Sequence, residues 1–321
     1  MRNRVSLLLF AGFILMAGFA GSEESGRDLE IFAALNKNSI VVGEPLFLNL
    51  LLENRSDHPI EFRSRLSPYG DVQMRFSIPE RLPVDYKGTF QSSFYPHCLF
   101  KMPPRGKDRV SFAIYYFEET PGKLLFDKPM KARLEAEIKG YLGEKIEEFR
   151  FPPMILEVKE PEEKDREALD FLRNENMVYD IHQGHATREL LPKFEKFLEL
   201  YPDTTYTPFV LFTLADGYRL TGPDGEPDYH KAITLFKQYI REYPDTILTD
   251  DAVYRIGDCH DSLGDEESAT RWFVKLYNNY LTSNRVSNHD PMMQKYIYNK
   301  KKVQVPRAFW MLYNIENHAV R

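Results

Sequence analysis

The chain has 321 residues, of which 43% are apolar and 28% are charged, and its formal net charge is −6. A mildly acidic chain without a block of Lys or Arg repels phosphate backbones, which argues against nucleic acid as a partner. The length suits two ordinary domains better than one. Cys98 and Cys259 are the only cysteines, and the sequence leaves open whether they are paired or free.

The first residues have the layout of a secretory signal peptide. Arg2 and Arg4 precede an apolar run, and small residues stand at Gly18 and Ala20. A positive start, a short apolar core and small side chains at its end are typical of a segment that signal peptidase removes.

We therefore predict that residues 1–20 are a signal peptide, that residues 21–28 are a linker, and that the chain is exported. An uncleaved membrane anchor is the alternative, because a tilted helix of this length can still engage a bilayer. No other long apolar stretch follows, which predicts no integral membrane span after cleavage.

Residues 29–160 show the two-residue period of strands. The clearest alternation runs from Ala132 to Lys139, and similar series occupy residues 46–52, 72–78 and 110–116. Successive side chains on a strand point to opposite faces, so several such strands without helical patterns predict an antiparallel β-sandwich. The segment from Ser39 to Phe62 resembles the opening two strands of bacterial immunoglobulin-like modules.

After Pro161 the apolar period becomes helical and one phrase is repeated. Residues 194–204 recur as residues 236–246, each ending in Tyr-Pro-Asp-Thr, and a weaker copy begins at Phe273. Once the Gly- and Pro-rich loop 221–228 is allowed for, the spacing approaches the period of about 34 residues of tetratricopeptide repeats.

Here the chain resembles tetratricopeptide proteins of bacterial envelopes, such as outer-membrane assembly lipoproteins and Tol-Pal coordinators. The resemblance implies a multidomain β then α fold, with an immunoglobulin-like antiparallel β-sandwich followed by an all-α tetratricopeptide helical array. The array is expected over residues 161–321, with C-terminal capping helices at 291–298 and 306–318. It also implies a bacterial protein that is periplasmic or secreted.

The resemblance places one set of side chains on a concave surface of the array. An acidic groove edged by aromatic rings favours a basic protein segment, whereas the alternative is that these acids are simply solvated. The candidate partner-binding residues are Phe209, Phe212, Asp216, Arg219, Asp251, Tyr254, Asp258 and Asp261.

Catalytic and cofactor motifs are not found. No GxSxG, P-loop, GxGxxG or HExxH occurs, so no catalytic residue and no cofactor are predicted. His182 and His185 form an HxxH, but Gly184 between them and the shortage of further ligands argue against a metal.

We therefore predict a non-enzymatic exported scaffold or adaptor that binds another protein or peptide. The alternative is an accessory carbohydrate- or cell-wall-binding protein that assists an enzyme, with the β-sandwich as the binding module. Its aromatic candidates are Phe90, Phe94 and Tyr95.

Overall fold

A computed structural model describes residues 20–21, 28–64, 71–79, 82–85, 98–114, 124, 126–184, 186–280 and 291–298. The strands in this part of the chain form two sheets. They are β1 (Ala20–Gly21), β2 (Leu29–Leu35), β3 (Ser39–Val41), β4 (Leu46–Asn54), β5 (Ile60–Ser64), β6 (Val72–Ser77), β7 (Val84–Asp85), β8 (Cys98–Met102), β9 (Lys107–Ile114), β10 (Met130–Leu142), β11 (Lys145–Arg150) and β12 (Met154–Lys159).

The two sheets differ in size and in connectivity. The smaller sheet has four strands in the order β1-β2-β4-β9, and each neighbouring pair is antiparallel. The larger sheet has eight strands, and β10 pairs there with β5, β6, β11 and β12. Strand β3 joins the larger sheet by pairing in parallel with β12, where Ile40 lies opposite Val158.

The alternation predicted for residues 132–139 is confirmed. Ala132, Leu134 and Ile138 on β10 are buried, whereas Arg133 is exposed and Lys139 is partly exposed. The exposed face of the larger sheet carries charged side chains, and Lys139 pairs there with carboxylates on β10 and β11. This face is therefore the outside of the molecule.

The predicted immunoglobulin-like antiparallel β-sandwich is wrong. The described strands divide four and eight between the sheets, include a parallel pair, and belong to a mixed fold whose helices contribute to the same core. Strand β4 shows the physical reason, because every residue in it except Leu51 is buried. Phe47 points away from the side occupied by Leu46 and Leu48, and its ring stacks on Phe209 of the helical part at 6.4 Å between centroids.

The second half of the described chain is helical. A 3₁₀ turn (Arg188–Leu190) precedes the third helix, and a π-helical turn (Gln294–Tyr298) follows the last. The helices are α1 (Glu163–Asn174), α2 (Val178–Gln183), α3 (Leu191–Leu200), α4 (Thr207–Leu220), α5 (Tyr229–Glu242), α6 (Thr249–Ser262), α7 (Glu266–Asn279) and α8 (Pro291–Met293).

The predicted all-α tetratricopeptide array is also wrong. The described chain has eight α-helices of unequal length, from three to fourteen residues, and they form part of a mixed fold with two sheets. The repeated sequence that suggested an array, Tyr-Pro-Asp-Thr at residues 201–204 and 243–246, forms the connector between two helices, and this connector does not determine the overall fold. Of the predicted capping helices, residues 291–298 form α8 and the π-helical turn, and residues 306–318 lie outside the described residues.

The repeated Tyr-Pro-Asp-Thr phrase forms the same connector twice. The Thr207 hydroxyl donates to the Tyr201 carbonyl at 2.9 Å and accepts from the Thr204 backbone N–H at 2.9 Å. The equivalent bonds within residues 243–249 measure 2.9 and 3.2 Å. A threonine at the start of each following helix thus satisfies groups that the helix ends leave unpaired.

One cluster of buried apolar side chains runs through both sheets and into the helices. It includes Leu48 of the smaller sheet, Leu134 of the larger sheet, and Leu169 and Phe236 of the helical part. The change from strand to helix lies between β12 and α1, and the core continues across it. The division into domains of residues 29–160 and 161–321 stays a prediction.

The turn between β3 and β4 is held by side chains from the helical part. The Tyr206 hydroxyl donates to the Val42 carbonyl at 2.6 Å, and His182 Nε2 lies 3.1 Å from the Gly43 carbonyl. Both side chains are buried. We call these four residues the turn–helix joint.

Charged groups beside the joint are buried but paired. The Glu44 carboxylate is bonded to Lys37 and accepts from the Val41 backbone N–H at 3.1 Å, and burial raises its pKa. On the helical side, Asp165 accepts from the Thr205 backbone N–H at 2.9 Å and from its hydroxyl at 2.7 Å. These bonds compensate for the loss of water around the carboxylates.

Candidate functional site

The polar residues predicted to line a groove form an ion network between α4 and α6. Arg219 Nε donates to Asp216 at 2.7 Å, and Arg219 Nη1 donates to Asp258 at 3.1 Å. Arg255 Nε lies 3.4 Å from the same Asp216 carboxylate. Two arginines thus neutralise two carboxylates, and the Asp216 side chain is only 5% exposed.

The predicted aromatic edge of the groove lies in the core. Phe209 and Phe212 are buried: Phe209 faces the smaller sheet, and Phe212 packs edge-on against Phe236 and Tyr239. Neither ring is available to a partner.

The remaining predicted residues are spread along α6. Tyr254 is buried against Phe273 of α7, and Asp251 is partly exposed near the start of α6. Asp261 is bonded to Lys295 and Tyr296 of the π-helical turn. The structure therefore brings Asp216, Arg219 and Asp258 together, but it pairs the predicted acids Asp216, Asp258 and Asp261 with basic residues of the same chain.

Cys259 and His182, the other chemically reactive side chains that the sequence singled out, are both buried in the fold. Cys259 is a free, buried thiol, and burial raises its pKa to about 12, which keeps it protonated. His182 belongs to the turn–helix joint, whereas His185, Phe90, Phe94 and Tyr95 lie outside the described residues. Within the described ranges, no group of three or more His, Cys, Asp or Glu side chains is placed to hold a metal ion.

A different surface, which we call the Trp272 patch, lies on α5 and α7. It consists of Lys237, Trp272 and Lys275, with Arg271 beside them. The Lys275 ammonium lies 4.6 Å from the centroid of the Trp272 ring, and the Lys237 ammonium lies 5.8 Å from it. Both distances are within the reach of a cation–π interaction.

The Trp272 patch has an uncompensated positive charge. Lys237 has no ion-pair partner in the described part of the chain, and neither has Lys275, whereas Arg271 is paired with Glu267 of the same helix. Burial lowers the pKa of His260 on α6, Asp265 opposes this effect, and Lys237 and Arg271 lower the pKa further. Trp272 itself is partly buried against the shared core and against a second hydrophobic cluster, which includes Val253 of α6, Phe273 of α7 and Tyr296 of the π-helical turn.

Sequence reasoning missed this patch because Lys237 and Trp272 belong to different helices. Trp272 and Lys275 are three residues apart on α7, a spacing that places them on one face. A usable signal was that Trp272 is one of two tryptophans in the chain and is followed by a lysine at this spacing. The second lysine comes from α5 through tertiary packing alone.

No known protein-family model matches the chain, and no curated protein matches it. Among solved structures, the alkylpurine DNA glycosylase AlkC of Pseudomonas fluorescens, bound to DNA with an abasic site analog, is 11% identical (TM-score 0.25) over 42% of this chain and 31% of that one. The β-glucosidase EmGH1 of Erythrobacter marinus is 16% identical (TM-score 0.24) over 40% of this chain and 15% of that one. The sporulation control protein Spo0M of Bacillus subtilis is 13% identical (TM-score 0.22) over 46% of this chain and 56% of that one.

The chain spans less than a third of the first two of these proteins. TM-scores of this size carry no argument about fold or function. The resemblance to tetratricopeptide proteins of bacterial envelopes therefore stays a prediction. In the described residues, no helix combines the length and the apolar character needed to cross a bilayer.

Proposed function

We propose that the chain is a non-enzymatic exported scaffold or adaptor whose helical part binds a protein segment. The observation that carries the proposal is the partly exposed ring of Trp272, which has a lysine of α5 and a lysine of α7 within cation–π distance. Tryptophan is the side chain most enriched among the residues that dominate binding energy at protein interfaces. A ring already packed against hydrophobic side chains loses little conformational freedom when a partner covers it.

In this proposal the sheets support the helical part, with which they share one hydrophobic core. The turn–helix joint ties β3 and β4 to α2 and to Tyr206 just before α4, so the helices have a rigid support. The acids first predicted to hold a basic segment are paired within the chain. The binding surface is therefore proposed at the Trp272 patch and not between α4 and α6.

The test is capture of a partner by the whole mature protein from an envelope extract of its own organism. Truncation after Glu160 is unsuitable, because it uncovers Val42 and Phe47, which helical residues contact. Trp272→Ser is the informative variant, and Tyr141→Ser is its matched control, because Tyr141 is an exposed aromatic residue on β10.

We expect one protein to be recovered by the unaltered chain and by Tyr141→Ser, and to be lost with Trp272→Ser. With the purified partner, the loss should amount to about 2 kcal/mol or more of binding free energy, as for a central interface tryptophan. Equal recovery by both variants, or recovery of polysaccharide alone, would refute the proposal. Mass spectrometry of the purified chain from the periplasmic fraction tests export, which predicts a mature start at Gly21 and hence the loss of Ala20 from β1.

A further inference from the structure

The charge of the Trp272 patch indicates the chemistry of its ligand. We infer that the patch binds a carboxylate-bearing, partly apolar segment of another protein, an inference that rests on the proposed function. Lys237 and Lys275 bring two like charges to one ring without a carboxylate partner in the described residues. Carboxylates of a partner that approaches the ring can pair with these two ammonium groups and offset their positive charge.

The local charge runs against the charge of the whole chain. The protein has a formal net charge of −6, so its long-range field repels an acidic partner. Attraction arises only near the patch, within about one Debye length of the lysines. Binding is therefore local, and salt that screens the two lysines weakens their attraction for the partner.

Apolar surface beside the lysines favours a peptide over a sugar chain or a lipid headgroup. Ile240 lies one helical turn from Lys237 on α5, and it is partly buried against the same two hydrophobic clusters as Trp272. Spacings of three and four residues place side chains on the same side of a helix. Ile240 and Trp272 supply apolar contact area, and the two lysines supply the charge selection.

The ring contacts make Trp272 a reporter of its own occupancy. The chain has two tryptophans, Trp272 and Trp310, so a Trp310→Phe protein reports on Trp272 alone. The probes are short synthetic peptides in which glutamate alternates with leucine, and matched peptides in which glutamine replaces glutamate. A sulfated polysaccharide and phosphatidylglycerol vesicles represent the other anionic classes.

We expect saturable changes of Trp272 fluorescence with the glutamate peptide and binding at least about tenfold weaker with the glutamine peptide. Lys237→Gln combined with Lys275→Gln should weaken binding of the glutamate peptide about tenfold, the effect of losing two partly exposed ion pairs. The control is Lys128→Gln combined with Lys131→Gln, which removes the same charge from exposed residues at β10. That control should bind as the parent protein does.

Three outcomes would overturn the inference: equal binding of the two peptides, equal loss in the two double variants, or tighter binding of polysaccharide or vesicles than of the glutamate peptide. The capture experiment separates this failure from failure of the proposed function. A partner lost with Trp272→Ser but retained by Lys237→Gln with Lys275→Gln leaves the scaffold role intact and refutes only the acidic chemistry.

Discussion

Replacing Gly43 by alanine tests whether the helical part packs tightly against the turn between β3 and β4. Gly43 has φ +85°, and a Cβ there would lie 2.6 Å from Leu169 Cδ1. The left-handed conformation costs an L-residue about 1–2 kcal/mol, and overpacking against a buried leucine adds about 1–3 kcal/mol. We expect Gly43→Ala to lower the free energy of unfolding by about 2–5 kcal/mol.

Gly143→Ala is the matched control, because Gly143 has φ +62° and no atom within 4 Å of an added Cβ. Its expected loss is the conformational part alone, about 1–2 kcal/mol. Urea denaturation followed by far-UV circular dichroism measures both, provided the slopes agree. In a Leu169→Ala background the obstructing atom is gone, so Gly43→Ala should then cost no more than Gly143→Ala. If the two glycine variants lose the same free energy of unfolding in the parent protein, Leu169 moves aside freely, and tight packing of the helical part against the turn is refuted.

Three further predictions concern buried hydrogen bonds. Tyr206→Phe removes the donor to the Val42 carbonyl and should cost about 1–3 kcal/mol in urea denaturation. Thr249→Val removes the hydroxyl that donates to the Tyr243 carbonyl, with an expected loss of about 1–2 kcal/mol by the same measurement. Burial lowers the pKa of His182 from 6.5 to about 4, so the unfolded chain protonates first as the pH falls. Stability should therefore decrease between pH 6.5 and about 4 by up to about 3 kcal/mol, measured as the midpoint of urea unfolding at each pH.

Exposed substitutions serve as controls for these measurements. Tyr141→Phe and Thr234→Val alter exposed hydroxyls and should stay within about 0.5 kcal/mol of the parent. In His182→Gln an amide N–H replaces the imidazole as hydrogen-bond donor, and this side chain does not titrate. The stability of the variant should therefore fall less than that of the parent protein as the pH is lowered. Glu44 acts in the opposite direction, because its raised pKa favours the folded state as the pH falls through that pKa. Both proteins retain Glu44, so identical pH profiles would contradict the assignment to His182.

Strand β10 was predictable because its two faces meet different surroundings. Ala132 and Leu134 face the core while Arg133 faces water, so apolar and polar residues alternate in the sequence as buried and exposed positions alternate along the strand. Strand β4 was not predictable in the same way, because Phe47 is covered by Phe209, a residue far along the chain. Periodicity shows that a face is apolar, but it does not show which distant element covers it.

The helical part shows the same limit at the candidate site. The phrase repeated at residues 201–204 and 243–246 correctly indicated two like connectors, because their hydrogen bonds are local. The groove assigned from that repeat was misplaced, because Phe209 faces a sheet and Asp216 is enclosed by arginines from two helices. A local repeat specifies its own turns and caps, whereas exposure depends on the whole fold.

The parallel pairing of β3 with β12 has a consequence for when the N-terminal part of the fold can be completed. Strand β3 ends at Val41, but its partner begins at Met154, and the hydroxyl that binds the Val42 carbonyl belongs to a residue 164 positions later. A ribosome adds about 5–20 residues per second, so this early strand waits on the order of ten seconds for its partner to be made. Until then the edge of β3 and the following turn have no partner, on the ribosome and again as an exported chain emerges across the membrane, and the N-terminal part of the fold closes only after the segment up to Tyr206 is present.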